Sequence, residues 1–231
     1  MKFTSPECRT CPNRWDSIFK CCNEEDVKLL DFHKVGHLYH KGQILFHEGG
    51  TPQGLYCLRQ GKVKIVKKSP DGKEQIIKLV KEGDPIGHKS LLLNTSYSAS
   101  AVILEDSIIC FIPKQVFEKM RKESDIESAL LIKMTKALSE AENKVANLTL
   151  KQVRERMAEA LLFLNKFYNQ ENISRWIVMS REDLGNLVGT AKETAIRVLS
   201  DFKSQKIIMT QGRKIKILDK EKLIRLSKPS V

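Results

Sequence analysis

Apolar positions change their spacing several times along this chain, and each change marks a different piece of architecture. After a cysteine-bearing leader (1–22), they recur at helical intervals from Asn23 to Phe32. From Leu38 to Pro113 the spacing shortens to β-type runs, punctuated by Gly42, Gly49, Gly50, Gly54, Gly61, Gly72, Gly83 and Gly87. Two such runs, 63–66 and 75–80, flank Ser69-Pro70-Asp71-Gly72 and predict a hairpin. Short strands with turns of this kind predict a small barrel or roll over 23–125. The helical period then returns. Leu131, Met134, Leu138, Ala141, Val145 and Leu148 follow one another at intervals of 3, 4, 3, 4 and 3, a heptad seam on a helix expected over 126–149. That seam suits a parallel dimer contact; the alternative is a core helix lying on its own β domain.

A second, smaller domain is expected over 150–231. Met157, Leu161 and Leu164 give Val153–Phe167 one apolar side. The stretch SREDLGNLVGTAKETAIRVLSDFKSQ reads as two short helices around one glycine turn. Ser180 with Asp183, and Thr190 with Glu193, have the spacing in which a hydroxyl and a carboxylate satisfy the free amides of a helix start. Gly189 falls at the turn, where positive φ is easiest to accommodate, and Gly185 leaves room for a close crossing. Ala195, Val198, Leu199 and Phe202 form a buried stripe on the second helix, opposite Lys192, Glu193, Ile196, Arg197 and Ser200. An Arg and a Glu one turn apart on an exposed face match the edges of guanine and cytosine in a major groove. Finally, Ile207–Leu218 reads as a hairpin turning near Gln211–Gly212, with Lys214 and Lys216 alternating with Ile215 and Ile217, like a wing beside DNA. The fold class is therefore α+β.

Charge agrees with a nucleic-acid partner. The 231 residues carry a net charge of +12, of which +8 lies in 150–231. No apolar run reaches membrane-spanning length and no signal-peptide core opens the chain, so a soluble, cytoplasmic protein is expected. Nucleophile elbows, phosphate loops, HExxH and paired-carboxylate motifs are absent from the sequence, which argues against an enzyme.

The order of a β roll, a long helix and a winged helix-turn-helix resembles the Crp/Fnr family of bacterial transcription regulators. The resemblance covers nearly the whole chain and is carried by YHKGQILFHEGGTPQGLYCLRQGKVKI, DGKEQIIKLVKEGDPIG and SREDLGNLVGTAKETAIRVLSDF. It implies a homodimer on palindromic DNA, with half-sites about one helical turn apart, and RNA polymerase as a further partner. It places base reading on Lys192, Glu193 and Arg197. With Ile196, Ser180, Thr190, Lys214 and Lys216 these make up the expected DNA-binding set. It also implies an effector pocket, and there the sequence departs. Cyclic-nucleotide-binding members carry Gly-Glu-Leu and then Arg-Ser/Thr-Ala, whereas IGHKSLLLNTSYSASA sets His88 where the Glu would stand and Tyr97 where the Arg would stand. Without that guanidinium a cyclic phosphate loses its bidentate partner. Gly87, His88, Tyr97 and Ser98 remain the expected pocket residues, and no response to cyclic AMP is expected.

Six cysteines in a chain of this class are read as thiols or metal ligands rather than disulfides. Cys8, Cys11 and Cys21, with Cys110 on a later strand, resemble the cluster ligands of the family's oxygen-sensing branch. They imply a four-iron, four-sulfur cluster; a zinc ion, a metal-free thiol switch and no redox role stay open. Cys57 and Cys110 lie in apolar β segments, where cysteine often serves as a small buried hydrophobe. His33, His37 and His40 straddle a helix-to-strand change and are not read as a metal site. The competing functional reading is a small-molecule or redox sensor that acts through a protein partner instead of DNA.

Overall fold

The computed structural model describes residues 6–123, 125–168 and 176–228. The chain divides into two compact units, Met1–Ala137 and Leu138–Val231.

In the first unit, two 3-10 turns (Arg14–Asp16 and Ile18–Cys21) lead into α1, Glu24–His33. This helix starts where a full capping box forms: Asn23 accepts from the Asp26 amide and Asp26 accepts from the Asn23 amide. One antiparallel sheet follows, built from β1 (Val35–Tyr39), β2 (Ile44–Phe46), β3 (Gly54–Lys68), β4 (Glu74–Val80), β5 (Pro85–Ile86) and β6 (Ser100–Pro113). The strand order is β1-β6-β3-β4, with β2 also on β6 and β5 also on β3. The β3–β4 hairpin turns at the expected Ser69–Gly72, closed by the Gly72 amide on the Ser69 carbonyl. Register places Cys57 of β3 directly opposite Cys110 of β6.

Between β5 and β6 lies the short α2, His88–Leu93, and α3, Lys114–Glu123, comes after β6. Two apolar clusters hold the unit. One joins Leu30, Leu55, Ile112, Phe117 and Met120 to the first turn of α4 (Ile126–Leu150). The other fills the roll with Leu58, Val63, Val80, Ile86 and Ile109. On α4 only Ile126, Ala129 and Leu130 are buried, so the core-helix alternative applies to its first turn alone. Leu131, Met134, Leu138, Ala141, Val145 and Leu148 are all exposed, Leu131 to 67%.

The second unit is organised by α5, Val153–Tyr168, whose Met157, Leu161 and Leu164 are fully buried. Then come β7 (Ile177–Val178), α6 (Arg181–Val188), α7 (Lys192–Ser204), β8 (Ile208–Gln211), β9 (Lys214–Ile217) and α8 (Lys220–Leu226). The small sheet runs β7-β9-β8. Ser180 caps α6 as expected, accepting from the Asp183 amide at 2.9 Å. Thr190 does not cap α7. The N-cap there is Ala191, with no side-chain bond. The cause is the turn: Gly189, at φ 70°, ends α6, and the Thr190 amide is spent closing it on the Gly185 carbonyl at 3.0 Å. One more residue is needed before helical geometry resumes. Among the described residues no helix is long and apolar enough to cross a membrane.

Candidate nucleic-acid interface and sensor cavity

Helix α7 sorts its side chains cleanly. Ala195, Leu199 and Phe202 are buried and Val198 is half-buried, while Lys192, Glu193, Ile196, Arg197 and Ser200 are exposed. What fixes this face is the close packing of the turn. A Cβ on Gly185 would stand 2.8 Å from the Thr190 carbonyl oxygen and 3.5 Å from the Lys192 nitrogen, so α6 reaches the start of α7 only because position 185 has no side chain. Arg156 of α5 holds the same corner. Its Nε donates to the Val188 carbonyl at 2.9 Å and a terminal nitrogen to the Gly189 carbonyl, satisfying acceptors that the end of α6 leaves free, while another reaches the Lys151 carbonyl ahead of α5. Arg154 pairs with Asp201 of α7 and stands over the Phe202 ring. In the wing, Ile215 is buried whereas Lys214 and Lys216 are exposed. Ser180 is occupied by its cap, its hydroxyl also donating to Asp183 at 2.8 Å.

In the first unit, Gly87, His88, Tyr97 and Ser98 do line one cavity, together with Phe46 and Lys78. Its volume is about 80 Å³, the share of roughly three waters. Tyr97 stacks on Phe46 with ring centroids 3.7 Å apart. His88 is held neutral: burial, with Lys78 and Lys89 nearby, pushes its pKa down to about 4. Its Nδ1 is buried without a hydrogen-bond partner among the described residues. The turn before this cavity is tied to α4, since Lys133 Nζ meets Asp84 Oδ1 at 2.8 Å. The same turn is bonded to β3 through Gly83 N–H to the Leu58 carbonyl and Leu58 N–H to the Asp84 carbonyl.

The cysteines do not group as the resemblance implies. Cys8, Cys11 and Cys110 line a common cavity, but Cys21 is not on its wall, and its thiol donates to the Ile18 carbonyl at 3.4 Å. Cys57 takes the fourth place. Burial raises the thiol pKa of Cys57 and Cys110 and pushes Cys8 up to about 12. Of the implied cluster set, Cys8, Cys11 and Cys110 share this cavity and Cys21 stands apart from it.

An antiparallel roll, a long helix with an exposed apolar seam and a winged helix-turn-helix define a class of DNA-binding regulators. Residues 37–124 match the cyclic nucleotide-binding domain family, and residues 155–226 match the Crp-like helix-turn-helix domain family. The anaerobic regulatory protein of Pasteurella multocida is 29% identical over 230 residues, 95% of this chain and 82% of that protein. Transcriptional activator protein Anr of Pseudomonas protegens is 29% identical over 214 residues, 90% of this chain and 87% of that protein. The solved structure of FixK2 from Bradyrhizobium japonicum shares the fold, with a TM-score of 0.75 at 24% identity over 86% of this chain and 99% of that one. The chain belongs to the Crp/Fnr family of transcription regulators, which bind DNA and are not enzymes.

Proposed function

We propose that the protein acts in the cytoplasm as a homodimer on palindromic DNA, reading base edges with Lys192, Glu193, Ile196 and Arg197. The observation that carries this is the α7 face itself, on which Glu193 and Arg197 stand one turn apart and exposed while the opposite stripe is buried. Lys214 and Lys216, with Thr190 at the helix pair, supply phosphate contacts that set register without sequence information, and Ser180 holds the start of α6 in place for them. Pairing runs along Leu131, Met134, Leu138, Ala141, Val145 and Leu148, and half-sites then lie about one helical turn apart. RNA polymerase is the further partner through which bound dimers alter transcription. The effector is not a cyclic nucleotide: His88 and Tyr97 stand in place of the Glu and Arg such a ligand needs, and Tyr97 lines the pocket stacked on Phe46.

Footprinting on genomic fragments tests the assignment. Glu193→Ala and Arg197→Ala should each lose about 1–3 kcal/mol of discrimination and retain weak, salt-sensitive binding. Lys214→Ala and Lys216→Ala should weaken all sequences alike and each lower the salt slope by about 1. Unchanged specificity in both α7 variants would remove α7 as the reader. Wild-type protein that protects no fragment, yet captures a protein partner, would favour the sensor that works without DNA.

A further inference from the structure

We propose that Cys8, Cys11, Cys57 and Cys110 form a tetrathiolate site for a single thiophilic divalent cation of the zinc class. Three separate segments bring these thiols to one cavity. Cys8 and Cys11 belong to a tight turn closed by the Cys11 amide on the Cys8 carbonyl at 3.2 Å, the two-residue spacing in which a knuckle offers both sulfurs to one ion. Cys57 and Cys110 are direct cross-strand partners on β3 and β6, so their Cα atoms lie about 5 Å apart. On the far side of Cys110, β1 presents Gly36.

The leader is anchored where these thiols need it. The Cys8 amide donates to Asp31 Oδ1 at 2.6 Å, Lys34 donates to the Pro6 carbonyl, and Arg59 donates to the Glu7 carbonyl at 3.3 Å.

Size and charge select the occupant. The cavity is about 30 Å³, the share of one water. A single ion fits that space without displacing the surrounding strands. Binding follows M²⁺ + 4 RSH → M(SR)₄²⁻ + 4 H⁺, and the product is a dianion. Lys34, Arg14 and Arg59 stand on the same wall to face it. Lys34 is buried, and Arg14 Nε is buried with no partner among the described residues. Arg14 already donates to the Cys22 carbonyl at 3.5 Å and stands over the Trp15 ring, so only its Nε is unspent, and a thiolate complex would give that donor an acceptor. In the described geometry no three such side chains have yet closed to ligating distance, so binding draws the thiols inward from the wall by side-chain rotation.

The test uses the full chain, purified under reducing, oxygen-free conditions and stripped with a chelator. Cobalt(II) titration should saturate at one equivalent, with thiolate-to-metal charge transfer and the intense visible bands of tetrahedral Co(II), and zinc should bleach both. Cys57→Ser and Cys110→Ser should lose that uptake, while Cys21→Ser and Cys22→Ser keep it. Because Cys110 is buried and Cys57 lies in the sheet, Cys11→Ser in the leader serves as the variant that spares the core, with circular dichroism to confirm folding. A folded Cys11→Ser protein with an unchanged cobalt spectrum overturns the set. So does uptake that survives Cys57→Ser and fails in Cys21→Ser, and so do iron with acid-labile sulfide in the protein as isolated, or no uptake by the wild type. None of these outcomes depends on which residues read DNA.

Discussion

Gly185→Ala is the smallest change that should damage the helix pair. The added methyl would stand 2.8 Å from the Thr190 carbonyl oxygen, roughly 0.6 Å inside the 3.4 Å where ordinary contact begins. The obstructing atom is backbone, so it cannot swing aside as the end of a side chain would. Two terms oppose each other. Alanine in a helix interior is favoured over glycine by about 0.5–1 kcal/mol, whereas forcing an extra carbon into a packed contact costs about 1–3 kcal/mol. The second term wins, leaving a net loss of about 1–2 kcal/mol. For a chain of this length that corresponds to a fall in Tm of about 2–8 °C. Thermal unfolding followed by far-ultraviolet circular dichroism measures it. The relieving shift also moves the start of α7, because Lys192 N lies 3.5 Å from the same methyl position. Operator affinity should therefore fall by more than the lost stability alone explains, as read by titration well below Tm. A variant with an unchanged or higher Tm would refute the packing argument. One that melts early but binds normally would refute the link to α7.

Other expectations follow from the sensor unit and the seam. His88 has a folded-state pKa of about 4 against an ordinary 6.5, so the unfolded chain takes its proton first as pH falls. Stability is then lost between pH 6.5 and 4, by about 3 kcal/mol at most, and urea midpoints for His88→Gln should lack this limb; parallel pH profiles would sink the reading. Leu138→Asp sets a carboxylate into the apolar seam, where an unpaired charge is strongly disfavoured. Sedimentation should find a monomer without affinity for palindromic DNA, and a stable dimer would move the interface elsewhere. Neither cyclic AMP nor cyclic GMP should change DNA affinity, because a ligand shifts an equilibrium only through differential binding. Calorimetry giving micromolar cyclic AMP binding would overturn that, and gain of such binding by Tyr97→Arg would support the pocket alignment.

Where structure depends on neighbours in sequence, the chain is legible. The Asn23 cap, the Ser69–Gly72 turn and the buried stripe of α7 each rest on residues within two turns of one another. The Thr190 cap fails for a reason still local but one step subtler: two motifs compete for one amide, and closure of the glycine turn wins. The short α8 carries its own signal in Asp219, which caps by accepting from the Lys222 amide, although the preceding hairpin draws the eye. Long-range pairings leave no such mark. Arg156 reaches carbonyls 32 and 33 residues away. Cys57 meets Cys110 only because two long strands align in one particular register, and a shift of a single residue would send its side chain to the other face. Spacing along the leader draws attention to Cys21, whereas the neighbour of Cys110 across the ladder is Cys57.

The turn Lys81–Asp84, whose Glu82 also accepts from the Gly61 amide, stands between cavity, strand and helix. On one side it runs into Pro85 and Ile86 on the wall of the cavity that Tyr97 lines. On the other, its bonds to Leu58 join it to the strand that carries Cys57. Toward the helix it presents Asp84, clasped by Lys133 on α4. Cavity wall and cysteine strand are thus both one step from the single carboxylate that Lys133 holds. One ion pair is therefore the shared hinge point of both, and its loss would uncouple both from the helix together.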